Sequence, residues 1–236
     1  MASAAAACAG VVIGLLALLG PARAAAASVD APPPLKTTDE GADLLVFVGE
    51  KLSVQDVTEQ IRSARQQESG KIFVLMDGIY RARYRVKQVV YGRYDSDTIE
   101  FNAADHYGVP PFSLHDTVLL FVSKDEGGYY QQKYQYYPVF RTVSGGWAGC
   151  GAIGPGDAEE RATIPPPHVM DFGPDAYFDL RKLDWRIRRQ DFDRQAYVFE
   201  RGRARCRLGH SLEELFQAKQ RTVLKARGLF AEPAAP

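Results

Sequence analysis

Residues 79–91 read IYRARYRVKQVVY, and this stretch decides the fold class. Apolar residues at the even positions from Tyr80 to Val86 alternate with cations at the odd positions from Arg81 to Lys87. Successive side chains of a strand point to opposite faces, so this period of two predicts one buried face and one cationic face. The stretch is therefore expected to be a strand of a half-solvated sheet.

Other runs of strand length surround this stretch, and they are 44–48 (LLVFV), 71–76 (KIFVLM), 97–103 (DTIEFNA), 117–123 (TVLLFVS) and 129–137 (YYQQKYQYY). Asp77-Gly78 precedes the long strand and is typical of a two-residue hairpin turn, because such a turn needs positive φ at both central residues. Ser53 is a candidate N-cap for a helix that fades near Gly70. We therefore expect a mainly β, α+β chain with one early helix.

Four of the strand patterns carry a resemblance to a known family: LVFVG at 45–49, VVYG at 89–92, TIEF at 98–101 and VLLFV at 118–122. Their order resembles the oligonucleotide/oligosaccharide-binding (OB) barrel, in the netrin-like form shared with tissue inhibitors of metalloproteinases. The resemblance implies a small, five- to six-stranded OB-like barrel over residues 43–148. In that family an N-terminal cysteine chelates the metal of the protease. The chain expected after signal cleavage has no cysteine before Cys150, so protease inhibition does not carry over.

The N-terminal segment predicts export. An apolar run at 11–19 (VVIGLLALL) is followed by Gly20-Pro21 and by an A-x-A frame at 22–24. This order is typical of a secretory signal peptide, here residues 1–27, and it implies a periplasmic or secreted protein. Cleavage is expected at 25–28, and the alternative is a retained N-terminal anchor.

The rest of the chain divides by composition. Residues 28–42 contain three consecutive prolines and are expected to form a flexible linker. Residues 149–236 are rich in glycine, proline and arginine, and we expect an irregular basic extension with one helix at 211–227. Ser211 and Glu214 have the spacing of a capping box at the start of that helix.

Two cysteines remain after removal of the segment that contains Cys8, and they are Cys150 and Cys206. An even count in an exported chain favours a disulfide. The alternatives are two buried free thiols or a nucleophilic Cys150. The G-x-G-x-x-G pattern at 149–154 is followed by Pro-Gly rather than by a helix, so it does not predict a dinucleotide site. No other cofactor is predicted.

The first candidate site is the loop that holds Asp105, His106, His115 and Asp116. Imidazole and carboxylate groups bind first-row metals and transfer protons, so the loop could bind a ligand or support catalysis. The spacing matches no zinc motif, and no metal ligand set is assigned. The alternative is a structured surface loop whose polar side chains bond to the backbone.

The second candidate site is the tyrosine-rich run at 129–137. Tyrosine platforms bind sugars and protein surfaces, because the ring is apolar while the hydroxyl stays hydrated. Strict alternation would place Tyr130, Tyr134 and Tyr136 on one side of the strand, with Tyr129 and Tyr137 on the other. The alternative is that these rings belong to the core.

Charge is unevenly distributed along the chain. The totals balance at 29 basic and 29 acidic residues, so no nucleic-acid partner is expected. Residues 28–180 carry 14 basic and 22 acidic side chains, whereas residues 181–227 carry 14 basic and 6 acidic ones. The basic residues of 181–207 could contact an anionic envelope surface or an acidic partner. Alternatively the basic segment docks on the acidic body through the apolar stripe of its last helix.

These patterns lead to one functional expectation and two alternatives. We expect an exported, non-enzymatic envelope or secreted module that binds an unidentified ligand or partner. The first alternative is a metal- or acid/base-dependent enzyme centred on His106 and His115. The second is a carbohydrate-binding module that uses the strand from Tyr129 to Tyr137.

Overall fold

The computed structural model describes residues 36–38, 40–72, 74–154 and 157–231. The predicted signal peptide, and residues 28–35 and 39 of the predicted linker, lie outside the described residues. The strands are β1 (Lys36–Thr37), β2 (Leu44–Asp56), β3 (Gly78–Tyr91), β4 (Thr98–Asp105), β5 (Thr117–Asp125), β6 (Gly128–Arg141), β7 (Trp147–Cys150), β8 (His168–Val169), β9 (Tyr177–Asp179), β10 (Tyr197–Glu200), β11 (Arg203–Cys206), β12 (Leu208–Ser211) and β13 (Phe230–Ala231). The α-helices are α1 (Thr58–Ser69), α2 (Ala158–Ala162), α3 (Trp185–Asp191) and α4 (Leu212–Lys219).

Five strands close into a ring. β4, β3, β2, β5 and β6 are antiparallel neighbours, and a parallel contact between β4 and β6 completes the circle. Register shifts in β2, such as the one between Val48 and Gly49, bend the strand around the ring. The predicted fold class, a mainly β chain with a small barrel, is confirmed.

Residues 44–49 of β2 and 118–123 of β5 are buried on both faces of the sheet. Leu45, Phe47 and Leu120 point into the barrel, while Val46 and Phe121 point outward beneath the C-terminal helix. A strand covered on both faces has no solvated side, and this explains the uninterrupted apolar runs in the sequence. The alternation predicted for residues 79–91 is confirmed in β3, where buried residues such as Tyr80 and Ala82 alternate with exposed ones such as Arg81 and Arg83.

The C-terminal helix covers the outside of the sheet. Leu212, Leu215 and Phe216 of α4 are buried in the outer apolar cluster. Both reciprocal bonds of the capping box between Ser211 and Glu214 are present. α4 continues through a π-helical turn at 220–224 and ends before Gly228, whose φ is 78°. A helix therefore occupies this part of the chain, and its apolar residues pack on the outside of the sheet.

The expectation of an irregular extension after residue 149 was wrong. β12 and β8 continue the large sheet beyond β7, and β10, β11 and β9 form a separate three-stranded sheet. The close approach of β12 to β7 requires Gly209, since a Cβ there would lie 2.0 Å from the carbonyl oxygen of Gly149. Among the described residues, no helix is both long and apolar enough to cross a membrane.

The predicted early helix starts later than expected. Residues up to Asp56 pair with β3, and α1 begins at Thr58 with Asp56 Oδ1 accepting the Thr58 N–H at 2.9 Å. Ser53 therefore lies in a strand rather than at a helix cap. Strand pairing with β3 satisfies the backbone groups that a helix starting at Ser53 would have used.

The predicted hairpin at Asp77-Gly78 is also absent. Gly78 starts β3, but the described residues of 71–76 are not in a strand. One edge of β3 is paired with β2 and the other with β4, so no edge is left for a further strand. The side chains of Ile72 and Met76 are accordingly 84% and 75% exposed.

Candidate functional site

A broad bulge in β6 shapes one end of the barrel. Leu120 pairs with Tyr136 and Val122 pairs with Gln131, so four residues of β6 lie opposite Phe121 alone. Within this bulge Tyr134 has a φ of 66°, which is rare for a residue other than glycine. The bulge pushes residues 133 and 134 away from the regular strand.

Hydrogen bonds from a distant segment hold the bulge in place. Arg227 donates to Gln132 Oε1 at 2.8 Å and to the Lys133 carbonyl oxygen at 2.9 Å. Gln135 donates its side-chain N–H to the same carbonyl at 3.0 Å. A strained backbone conformation persists only where its surroundings over-determine it, and such residues cluster at functional sites.

The bulge brings Lys133 and Tyr134 to the loop that follows β4. Lys133 Nζ lies 2.6 Å from Asp77 Oδ2, and His106 Nδ1 lies 3.3 Å from Asp77 Oδ1. The backbone N–H of His106 donates to the Tyr134 hydroxyl at 3.4 Å. We call Asp77, His106, Tyr107, Lys133 and Tyr134 the tyrosine rim.

The rim presents two aromatic rings to solvent. Tyr107 is 87% exposed and Tyr134 is 40% exposed, and their ring centroids are 6.3 Å apart with the planes inclined by 33°. The Lys133 ammonium lies 5.2 Å from the centre of the Tyr134 ring. A paired, exposed aromatic surface beside several polar groups is a feature of binding sites rather than of a core.

The polar groups of the rim have defined roles. The hydrogen bond from Lys133 holds the pKa of the Asp77 carboxyl below its ordinary value and raises the pKa of Lys133 itself. Two acceptors, the Met76 carbonyl oxygen at 3.0 Å and Asp77 Oδ1, face Nδ1 of His106. They favour the tautomer with the proton on Nδ1, which leaves Nε2 as an acceptor when the ring is neutral.

The second histidine of the loop belongs to another environment. His115 is half-buried, with ring centroids 6.0 Å from Tyr136 and 6.1 Å from Phe178. Burial, with a smaller contribution from the charge of Lys51, lowers its pKa to about 4. Asp116 is fully exposed, 3.9 Å from Lys51.

Asp105, a third residue of the candidate loop, does not contribute its side chain to the rim. Asp105 is buried at the end of β4 and accepts the Tyr107 N–H at 2.8 Å, which shapes the turn below the rim. Within residues 36–38, 40–72, 74–154 and 157–231, no three His, Cys, Asp or Glu side chains are grouped as metal ligands. The enzyme alternative stays a prediction.

The three predicted tyrosines do not share a face. Tyr136 packs on the barrel core together with Tyr129, while Tyr130 is 40% exposed at the contact between β6 and β4. Only Tyr134 joins the rim. The bulge lies between Tyr130 and Tyr136 and breaks the alternation that the sequence pattern implied.

Sequence reasoning did not select Tyr107, Asp77 or Lys133. Asp77 lies in a dipeptide typical of a hairpin turn, and Lys133 is one polar residue within an aromatic run. Tyr107 carried a usable signal, because an aromatic residue between polar residues and glycine lies outside any core pattern.

The basic segment contains both a buried helix and exposed arginines. Its last helix packs on the sheet, whereas Arg181, Arg201, Arg203 and Arg207 remain exposed. The disulfide between Cys150 and Cys206 is present, with the two Cα atoms 5.5 Å apart. It links β7 of the large sheet to β11 of the small one.

Comparison with protein-family models, with curated proteins and with solved structures found no match for this chain. The resemblance to netrin-like barrels therefore stays a prediction from strand patterns. Arguments about function depend on the geometry of the chain itself.

Proposed function

We propose that this chain is an exported, non-enzymatic binding module and that its tyrosine rim binds sugar rings. The observation that carries the proposal is the exposed pair of Tyr107 and Tyr134 beside Asp77, His106 and Lys133. Two regions that the sequence marked separately, the histidine loop and the tyrosine strand, meet at this one place.

The chemistry of the rim suits a sugar. A pyranose ring has an apolar C–H face that packs on an aromatic ring, and its edges carry hydroxyl groups. Asp77 accepts hydrogen bonds, Lys133 donates them, and His106 offers Nε2 at the edge of the aromatic pair. Because Arg227 and the glutamines fix the bulge, Tyr134 is held in position before a ligand arrives.

Export is part of this proposal and has two supports. The apolar run at 11–19, the following break and the A-x-A frame are typical of a cleaved signal peptide. The disulfide between Cys150 and Cys206 is suited to an oxidising compartment such as the periplasm or the extracellular space.

Binding of the mature protein to a glycan array tests the proposal. We expect the wild-type protein to bind a defined set of glycans on the array. Tyr107→Ala should weaken that binding roughly three- to tenfold, because one aromatic contact is lost. Tyr107 is 87% exposed, so its truncation should leave the melting temperature unchanged.

Tyr130→Ala is the matched control. It removes another partly exposed tyrosine of the same sheet that lies outside the rim, and it should leave glycan binding unchanged. The proposal is wrong if the wild-type protein binds no glycan on the array, or if the two alanine variants weaken binding equally.

A further inference from the structure

The small three-stranded sheet turns one face away from the molecule. In the register of this sheet Arg203 stands between Glu200 and Asp179, and Arg205 stands opposite Tyr177. Residues directly opposite each other in an antiparallel pair lie on the same face. These five side chains therefore share the outward face.

The inward face anchors the sheet. Ala204 and Tyr197 are buried there, and the Tyr197 hydroxyl donates to the Cys150 carbonyl oxygen at 3.0 Å. Phe178 packs between Phe140 and Phe192 with ring centroids about 5 Å away on both sides. The apolar packing of the inward face therefore fixes the position of the sheet and of its outward face.

Two guanidinium groups, one on the outward face and one from the segment that follows β9, are held in position. Arg203 stacks on the ring of Tyr177 at 4.1 Å. Arg181 forms two hydrogen bonds to Asp179, at 2.8 and 2.7 Å, and this pairing lowers the pKa of the Asp179 carboxyl to about 2. A pre-organised guanidinium loses less side-chain freedom when it binds a ligand.

A strained turn places a third guanidinium beside them. Arg201 and Gly202 join β10 to β11, with φ values of 49° and 78°. Positive φ at both central residues is the pattern of a type I′ hairpin turn, in which asparagine followed by glycine is preferred. An arginine at the first position costs stability, and such a cost is retained at functional sites.

These side chains surround an open groove of about 410 Å³, lined by Tyr177, Arg181, Glu200, Arg201, Arg203 and Arg205. Within the described part of the chain, Arg201, Arg203 and Arg205 form no ion pair, although Glu200 lies opposite Arg203 in the strand register. The carboxylate of Asp179 is already engaged by Arg181. Glu200 is the acidic group that an incoming anion would meet.

We propose that this groove binds a phosphate group of a ligand. Guanidinium forks match the oxygens of phosphate in two-point hydrogen bonds, and in the described residues three of them line this groove without an ion-pair partner. The phosphate could belong to a small soluble anion or to a lipid headgroup. The site is separate from the tyrosine rim and does not depend on sugar binding.

Titration with inorganic phosphate, followed by the NMR signals of the arginine Nε–H groups, tests the site. We expect saturable shifts for Arg203 and Arg205, with binding that weakens as salt rises. Arg201→Asn should weaken phosphate binding about tenfold, because one charge-assisted contact is lost. The same change should raise the melting temperature, because asparagine suits the turn. A merely structural arginine would not produce these opposite effects.

Two further variants sharpen the test. Glu200→Gln should tighten phosphate binding, because it removes the acidic group from the groove. Arg83→Gln removes an exposed cation of β3, far along the chain from the groove, and should leave binding unchanged. The proposal is overturned if phosphate produces no saturable shift, or if Arg83→Gln and Arg201→Asn weaken binding equally.

Vesicles distinguish the two sources of phosphate. Sedimentation with phosphatidylcholine vesicles that contain phosphatidylglycerol, weakened by Arg201→Asn, would assign the groove to a lipid headgroup. Saturable binding of inorganic phosphate with no sedimentation on these vesicles would assign it to a soluble phosphate.

Discussion

His115 shows how one half-buried residue couples stability to pH. The ring contacts Tyr136 and Phe178, and the charged groups that act on it are Lys51 and Asp116. Burial lowers the pKa of the folded state to about 4, against 6.5 for the free side chain. The unfolded chain therefore binds a proton that the folded protein does not bind between these two values.

We expect the free energy of unfolding to fall as the pH drops from 6.5 towards 4. The contribution of His115 is on the order of 2 kcal/mol after allowance for its partial exposure. His115→Phe keeps the aromatic contacts without a titrating group and should flatten this part of the stability curve. Urea denaturation at several pH values measures the unfolding free energy of the wild type and of the variant. His106→Gln is the control, because it replaces the other histidine of the loop and keeps His115.

An unchanged pH profile in His115→Phe would contradict this assignment. His210 is buried as well, and desolvation lowers its pKa, so it adds a dependence of the same sign. The wild-type curve contains both contributions. Only the difference between the wild type and the variant reports on His115.

At the scale of elements, a buried ion pair joins α2 to α4. Lys219 Nζ lies 2.6 Å from Glu160 Oε1, and both side chains are less than one tenth exposed. The hydroxyl of Tyr137 donates to the other carboxylate oxygen at 2.7 Å. Burial, together with the nearby charge of Glu160, raises the pKa of Tyr137. The pair fastens the short helix α2 onto the C-terminal helix.

Breaking this pair on one side should be costly. Lys219→Met leaves Glu160 buried without its cation and should lower the free energy of unfolding by about 3–5 kcal/mol. The double variant Glu160→Met with Lys219→Met should recover most of that loss, because no unpaired charge remains. Chemical denaturation of the two single variants and the double variant gives the coupling energy directly.

The exposed pair of Arg62 and Glu59 in α1 is the matched comparison. Its side chains are 45% and 74% exposed, so Arg62→Met should change stability by less than about 1 kcal/mol. Equal costs for Arg62→Met and Lys219→Met would argue against burial as the cause.

At the scale of the whole molecule, the disulfide joins two sheets. Cys150 ends β7 of the large sheet, and Cys206 ends β11 of the small sheet. α4 depends instead on apolar packing against the outside of the barrel. The two parts of the C-terminal segment are therefore held by different forces.

Removal of the disulfide should affect the small sheet more than α4. The double variant Cys150→Ser with Cys206→Ser should lose about 2–4 kcal/mol of unfolding free energy. Hydrogen exchange should rise most in β9, β10 and β11, while α4 stays protected. An equal rise in α4 would show that the helix also depends on the cross-link.

Local sequence patterns determined several features of this protein. The alternation in β3, the capping box at Ser211 and Glu214, and the pairing of Cys150 with Cys206 all agree with the structure. The two local features depend on residues within a few positions of one another, and the disulfide joins the two cysteines that remain when the predicted signal peptide, with Cys8, is left out. The mainly β fold class follows from the same short-range patterns.

Tertiary structure alone decided where strands pair and which candidate residues meet. Asp77-Gly78 has the chemistry of a hairpin turn, but β2 and β4 already occupy both edges of β3. The tyrosine rim forms because Arg227, almost a hundred residues away, holds the bulge that carries Tyr134 against the loop of His106. Competition for strand edges and contacts between distant segments leave no periodic trace in the sequence, and so only the folded chain reveals them.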